Sequence, residues 1–492
     1  MLGLFTVDCQ LSTVNRPTMK QPPKAPRTVN CQLSTVDCPS LRRELTLTNG
    51  TAIVVANMIG AGIFGITGFL AGDLGKPSLV LGIWLAGALV ALAGCLCYAE
   101  LAINLPRSGG EYVYLREAWG PGWGFLSGWI SFFAGFAAPI AASALLFSEY
   151  LAHFFPTLSP RPPAGILPTS SGWIHTGNGY LLAVGVVAVF AVTNILGVRF
   201  AGKIQNVLTG LKVGVLGAFL VLAFLVGKGS VAHFSAEAVR TSHHSLGGQF
   251  AVSLIFVMFA YSGWNAATYV AEEMKAPERT LPASLVAGTL IVAVFYLALN
   301  AAFIYAMPLE AMKGVERIGG AAAQALFGGK GGDFFSGVMS VGLLSTVSAM
   351  MIVGPRVYYA MAQDGCFFRG AARVHPRWRT PVQAILWQSA ATAVMILTGS
   401  FESLLYYIGF ALVLFAALAV AGMVRLRKRP GWKRLGAVSW GYPLAPAVFV
   451  CASVWMLCYT MALRPKESFF GLLTMAVGML AYRWFFRPRT RA

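Results

Sequence analysis

The chain has 492 residues, 57% of them apolar and only 11% charged, with a mean hydropathy of +0.67. A soluble protein carries roughly a quarter charged residues, so a large water-soluble core is excluded and a membrane-embedded chain is left. The net charge of +19 raises nucleic-acid binding as an alternative, but the basic residues track the apolar runs, as membrane insertion demands and phosphate recognition does not.

The first forty residues are polar. Cys9-Gln10-Leu11-Ser12-Thr13-Val14-Asn15 returns as Cys31-Gln32-Leu33-Ser34-Thr35-Val36-Asp37, each copy soon followed by proline. Two copies are too few for a stacked repeat, which needs about three to bury a core. No apolar stretch there has the length of a signal-peptide core. Residues 1–40 are therefore expected to form a disordered tail with a short repeat. A ten-helix unit over 41–424 follows, then an inner loop and two more helices over 425–492.

Twelve apolar runs lie near 48–72, 78–104, 121–152, 178–198, 205–227, 250–272, 283–306, 334–362, 381–398, 402–424, 442–461 and 467–486. A run of this kind crosses a hydrocarbon core of roughly 30 Å at 1.5 Å per residue. Lys and Arg concentrate in the tail and in alternate loops, most densely at Arg369, Arg373, Arg377 and Arg379 and at Arg425, Arg427, Lys428, Arg429, Lys433 and Arg434. That bias predicts an all-α, multi-pass protein of the cell inner (plasma) membrane with both termini cytoplasmic.

Helix 1 contains Asn57-Met58-Ile59-Gly60-Ala61-Gly62-Ile63-Phe64. Each glycine costs a helix interior about 1 kcal/mol relative to alanine. Freed backbone groups are tolerated in a bilayer only against protein, a cavity or a ligand. The segment reads as a broken helix. Helix 6 supplies a second break in Phe259-Ala260-Tyr261-Ser262-Gly263-Trp264-Asn265. Breaks five helices apart suit a five-plus-five inverted repeat with two extra helices, although the halves show no sequence similarity to one another.

The N–H groups of Ala61, Gly62 and Ile63 would stand unpaired at the positive end of a half-helix, where a carboxylate can sit. Carbonyls around Met58 and Ile59, and from Phe259 through Ala260 and Tyr261 to Ser262, can accept from an ammonium. Together with Gly60 and Gly263 these residues form a candidate amino-acid site. The alternative is that the glycines only permit close helix packing.

Lys212 lies deep within helix 5, and a buried lysine is costly and usually functional. It is read as a proton-transfer group or as a permanent positive strut. Glu100 and Glu111 lie beside Arg107 and Arg116, with which they are expected to form salt bridges. Glu149 is expected to be solvated at the outer end of helix 3. Glu272 and Glu273, with Lys275 and Arg279, form an inner gate network or a solvated helix end. Ser345, Thr346 and Ser348 line the cavity or mediate helix packing. Cys95, Cys97, Cys451 and Cys458 fall within apolar helices, and the predicted outer loops have no cysteine. No structural disulfide, disulfide-linked subunit, metal or cofactor is expected. The absence of a catalytic constellation argues against an enzyme.

GAGIF at 60–64 resembles the G-S-G-I-F signature of the amino acid–polyamine–organocation transporters. PRSGGEYVYLREAWGPGWGFLSGW, Pro106 to Trp129, is similar to the helix 2–3 segment of that superfamily. FAYSGWNAATYVAEEMKAPERTLPASL, Phe259 to Leu285, resembles helix 6 and its following loop in L-type amino-acid transporters and their bacterial relatives. GPRVYYAMAQDG, Gly354 to Gly365, resembles the end of helix 8. The resemblance implies a LeuT-type fold and a secondary active amino-acid permease working by alternating access. It implies sodium independence, with proton-coupled symport or exchange, and the lack of an acidic residue evident in sequence beside either break favours neutral amino acids. The resemblance makes Phe259 an aromatic lid and places the Lys212 ammonium, in a Q-N-x-L-T-x-x-K context, where sodium-coupled relatives hold an ion. Ala61 departs from the usual serine, and the outer loop after helix 3 lacks the cysteine that joins animal members to a second subunit. A cationic amino-acid or polyamine carrier, or an amino-acid sensor that does not transport, are the alternatives.

Overall fold

The computed structural model describes residues 45–107, 109–160, 170–171, 174–363, 365–378, 380–439 and 441–486. The tail and repeat expected over 1–40 lie outside the described residues. From Thr46 onward the described residues are mostly helical. A capping box starts the first helix, with Thr46 Oγ1 accepting from Asn49 N–H and Asn49 Oδ1 accepting from Thr46 N–H. Such reciprocal pairs satisfy the orphan donors of a helix start.

The helices are α1 (Leu47–Met58), α2 (Ala61–Gly65), α3 (Thr67–Leu74), α4 (Pro77–Asn104), α5 (Glu111–Trp119) and α6 (Pro121–Ile130). A π-turn over Ser131–Ala137 leads into α7 (Ala138–Leu151), followed by α8 (Asn178–Leu196), α9 (Val198–Leu225), α10 (Leu246–Ala260), α11 (Pro277–Ala306) and α12 (Leu309–Met312). The remainder are α13 (Ile318–Gln363), α14 (Val382–Thr398), α15 (Phe401–Leu426), α16 (Gly436–Ser439), α17 (Leu444–Leu463) and α18 (Pro465–Ala481). Proline opens α4, α6, α11 and α18, where its missing N–H costs nothing.

Among the described residues ten helices are long and apolar enough to cross a membrane, and α10 and α14 are shorter apolar helices. Large apolar side chains such as Val189, Val207, Leu225 and Leu444 point outward on them, as a lipid-facing surface requires. The fold is that of a multi-pass membrane protein.

Two runs differ in detail from expectation. The sixth apolar run, near 250–272 and read as broken within Phe259–Asn265, has α10 stopping at Ala260, and beyond the break Ala266–Glu273 winds as a tighter 3₁₀ helix. The eighth run, expected near 334–362, is preceded by further helix: α13 is two helices that meet at Gly328 and Gly329, where φ is 65° and 1°, and the added piece starts at Ile318.

The loop after α15 fastens several elements together. Arg427 pairs with buried Glu100 of α4 at 2.9 Å, and Trp432 Nε1 donates to the same carboxylate at 2.8 Å. Lys433 reaches Glu278 at the start of α11, and Arg429 reaches Glu117 of α5. Glu100 thus pairs with a cation distant in sequence, where neighbouring Arg107 and Arg116 were expected. Glu149 accepts from Ser159 Oγ at 2.9 Å. The side chains of Glu272 and Glu273, and with them the expected gate network, lie outside what is described.

Candidate substrate site

The first break is short. Ile59 and Gly60 are extended, with Gly60 at φ −141° and ψ −156°, and helix resumes at Ala61. Ile66 is itself helical and joins α2 to α3, so one helix runs over 61–74 from the break. Its first amides, those of Ala61, Gly62 and Ile63, have no preceding turn to bond to. The second break spans Tyr261 to Asn265 and turns at Gly263, whose φ of +98° excludes most other residues.

The two breaks pack directly against each other. A Cβ on Gly62 would stand 2.5 Å from both Cα and Cβ of Ala260, and one on Gly263 would stand 3.0 Å from the Asn57 carbonyl carbon. Gly62 and Gly263 therefore allow two backbones to cross, which is the packing role left open above. Gly60 differs, since a Cβ there would meet Thr346 at an ordinary 3.6 Å.

Three side chains from other helices converge on the crossing. The Lys212 ammonium donates to the Ile59 carbonyl at 2.6 Å, and its stem lies beside Gly342 of α13. The fully buried Tyr296 hydroxyl of α11 lies 2.6 Å from the Met58 carbonyl and 3.1 Å from that of Ala260, tying both breaks to one atom. Thr346 Oγ1 is buried with no hydrogen-bond partner among the described residues. Neighbouring Ser345 Oγ is within hydrogen-bonding distance of Thr209 and Gln205 of α9. Ser348 is buried in the same helix. Phe259 is buried in the last turn of α10, and its carbonyl accepts from Ser262 N–H at 2.9 Å. The Tyr261 hydroxyl donates to the Trp84 carbonyl.

The structure therefore brings the two sets of break residues together, with Lys212 beside them. It also shows that the Met58 and Ile59 carbonyls, expected to serve an ammonium ligand, already accept from Tyr296 and Lys212. Sequence reasoning missed Tyr296. The only available signal was general, that a tyrosine buried in an apolar helix needs a partner for its hydroxyl.

At the far end of the second break Asn265 Nδ2 donates to Glu111 Oε1 at 3.1 Å, and Tyr98 Oη donates to the same oxygen at 2.7 Å. Glu111 thus bonds to an amide and a phenol, where Arg107 and Arg116 were expected as partners. Burial raises the pKa of Glu111 to about 7, against the lowering effect of the two donors.

A family model described as amino acid permease matches residues 45–481, nearly the whole described chain. The chain belongs to the amino acid permease family. The permease is 30% identical over 448 residues to the serine/threonine exchanger SteT of Bacillus subtilis (strain 168), covering 90% of this chain and 96% of that one. It is 29% identical over 450 residues to the large neutral amino acids transporter small subunit 2 of Mus musculus, covering 90% and 81%. It is 29% identical over 466 residues to the Asc-type amino acid transporter 1 of Homo sapiens, covering 91% and 84%. These place the permease in the amino acid–polyamine–organocation superfamily, and the three relatives are named as amino acid transporters or exchangers.

Proposed function

We propose that the permease is a sodium-independent exchanger of neutral amino acids working by alternating access in the plasma membrane. The reading takes α10 and α14 as spanning too. That gives twelve crossings in a LeuT-type five-plus-five repeat, broken in helices 1 and 6, with both termini cytoplasmic. On this reading 41–424 is the transport core, and α17 and α18 lie outside the repeat.

The observation that carries it is the Lys212 ammonium bonded to the Ile59 carbonyl beside α13. A fixed cation there fills the place a sodium ion would need and leaves a first break whose free amides face an anion. The substrate carboxylate binds the N–H groups of Ala61, Gly62 and Ile63. The ammonium turns to the carbonyls of Phe259, Ala260, Tyr261 and Ser262, sharing those of Phe259 and Ala260 with the Ser262 N–H and the Tyr296 hydroxyl, and Phe259 closes over the bound substrate. Neutral substrates are favoured because the break residues themselves are apolar, aromatic or small, and the neighbouring charged groups, Lys212 and Glu111, are engaged by the Ile59 carbonyl and by Tyr98 and Asn265. The names of the relatives, an exchanger of serine and threonine and a carrier of large neutral amino acids, agree with that class. Function as a single chain in lipid, without a disulfide-linked subunit, completes the proposal.

Proton-coupled symport is the second reading, favoured by the buried carboxyl of Glu111 next to the second break. Uptake of radiolabelled neutral amino acids into sodium-free proteoliposomes, empty or preloaded, with and without an inward proton gradient, tests both. Uptake confined to preloaded vesicles supports exchange. Accumulation driven by the gradient alone replaces exchange with symport. Movement of dibasic amino acids or polyamines alone refutes the neutral class, and binding without movement in any condition makes the chain a sensor.

A further inference from the structure

The segment Gly109-Gly110-Glu111-Tyr112-Val113-Tyr114 has no part in holding substrate, yet it packs against the inner exit of the second break. Gly110, at φ +50°, leaves no room for a side chain, since a Cβ there would stand 2.7 Å from the Tyr269 ring. Glu111 holds Asn265, the last residue of that break, and is itself held by Tyr98 of α4. The segment beyond the break is tied to the entry of the first broken helix: Lys275 N–H donates to the Leu45 carbonyl at 2.8 Å. The inner parts of both broken helices are thus attached to α4 and α5, through ring contacts such as Tyr98 against Trp264 and through the Glu111 carboxyl, the ionisable group of that attachment.

We propose that Glu111 is a positioning residue for transport: it holds the inner side closed while protonated and gives up its proton as that side opens. The proposal rests on the alternating-access reading. The groups facing the carboxyl are Tyr98 of α4, Tyr114 of its own helix, and Asn265 and Tyr269 of the segment after the break. All are uncharged near neutrality, so partial removal of the carboxyl from water sets its preference. Closed, the carboxyl titrates at about 7. Opened to water it returns to roughly 4.3, the ordinary value for glutamate. The state with the raised pKa binds the proton more tightly, so closure is favoured below the open-state value and weakens as pH rises through about 7. Between pH 6 and pH 8 the ratio of open to closed should rise about tenfold.

Amide hydrogen exchange of the peptide covering 265–275, in lipid nanodiscs without substrate and corrected for intrinsic rates, reads that ratio. The wild type should exchange about tenfold faster at pH 8 than at pH 6, and Glu111→Gln should lose the dependence. Tyr98→Phe removes a donor to the ionised form and should move the midpoint upward, which a merely structural contact would not do. It also provides a test should Glu111→Gln fail to fold. A flat wild-type profile, a slope that persists in Glu111→Gln, or an unmoved midpoint in Tyr98→Phe overturns the proposal. The measurement needs no transport, so a failure of the amino-acid reading in vesicles stays separate from a failure of this one.

Discussion

Replacing Gly62 and Gly60 in turn by alanine separates the packing of the breaks from their hydrogen bonding. At Gly62 the new methyl would lie 2.5 Å from two atoms of Ala260, one of them backbone. That is about 1–1.5 Å inside the optimal carbon separation of roughly 3.5–4.0 Å. Overpacking costs about 1–3 kcal/mol, and because a backbone atom cannot rotate away the cost here falls in the upper part of that range, about 2–3 kcal/mol. Alanine recovers up to about 1 kcal/mol of helix propensity, which leaves a net cost of about 1–2 kcal/mol. At 1.4 kcal/mol per factor of ten, the crossed arrangement becomes roughly five- to thirtyfold less populated. At Gly60 the methyl meets Thr346 at 3.6 Å, and the φ of −141° suits any residue. Only the weaker N-cap preference of alanine is lost there, about 1 kcal/mol or less. Counterflow of a labelled neutral amino acid, normalised to the amount of protein reconstituted, should therefore fall far more in Gly62→Ala than in Gly60→Ala. Gly62→Ala within twofold of wild type, or Gly60→Ala as the more damaging change, would refute the packing argument.

Other substitutions probe the groups gathered around the crossing. Tyr296→Phe keeps the ring and leaves the Met58 and Ala260 carbonyls without their donor, a loss of about 1–3 kcal/mol that should appear as a lower unfolding temperature in detergent. An unchanged temperature would mean that water replaces the hydroxyl. Lys212→Met retains the stem and removes the donor to Ile59; counterflow should be lost while gel filtration still shows a folded protein, and wild-type counterflow would remove the lysine from the mechanism. Glu100→Ala strands the buried Arg427 guanidinium and should cost about 3–5 kcal/mol in thermal unfolding, with a change below about 1 kcal/mol placing the pair among weakly contributing surface bridges.

The breaks were legible because glycine in an apolar helix is anomalous at the level of composition, and Lys212 was legible because a charge in such a run is equally anomalous. What could not be read was which distant groups meet them. Glu100 and Glu111 have arginines close by in sequence, and proximity along the chain suggested the wrong partners for both. Their true partners, Arg427 in one case and Tyr98 with Asn265 in the other, are set by packing between helices. Tyr296 carries no local pattern, since its role depends on two carbonyls far from it in the chain. The helix before Gly328 and Gly329 was hidden because its glycines and alanines, and its length of only about two to three turns before the break, fall short of a spanning apolar run.

The short tie between Leu45 and Lys275 bears on how tightly such a carrier can couple its two faces. Two broken helices that moved independently would have four combinations of positions, and the mixed ones would offer a route for ions or solute to slip through uncoupled. On the alternating-access reading proposed above, the backbone hydrogen bond of 2.8 Å that joins them, worth about 0.5–1.5 kcal/mol, biases the pair toward the two concerted positions, and weakening it should cost stoichiometry before it costs rate.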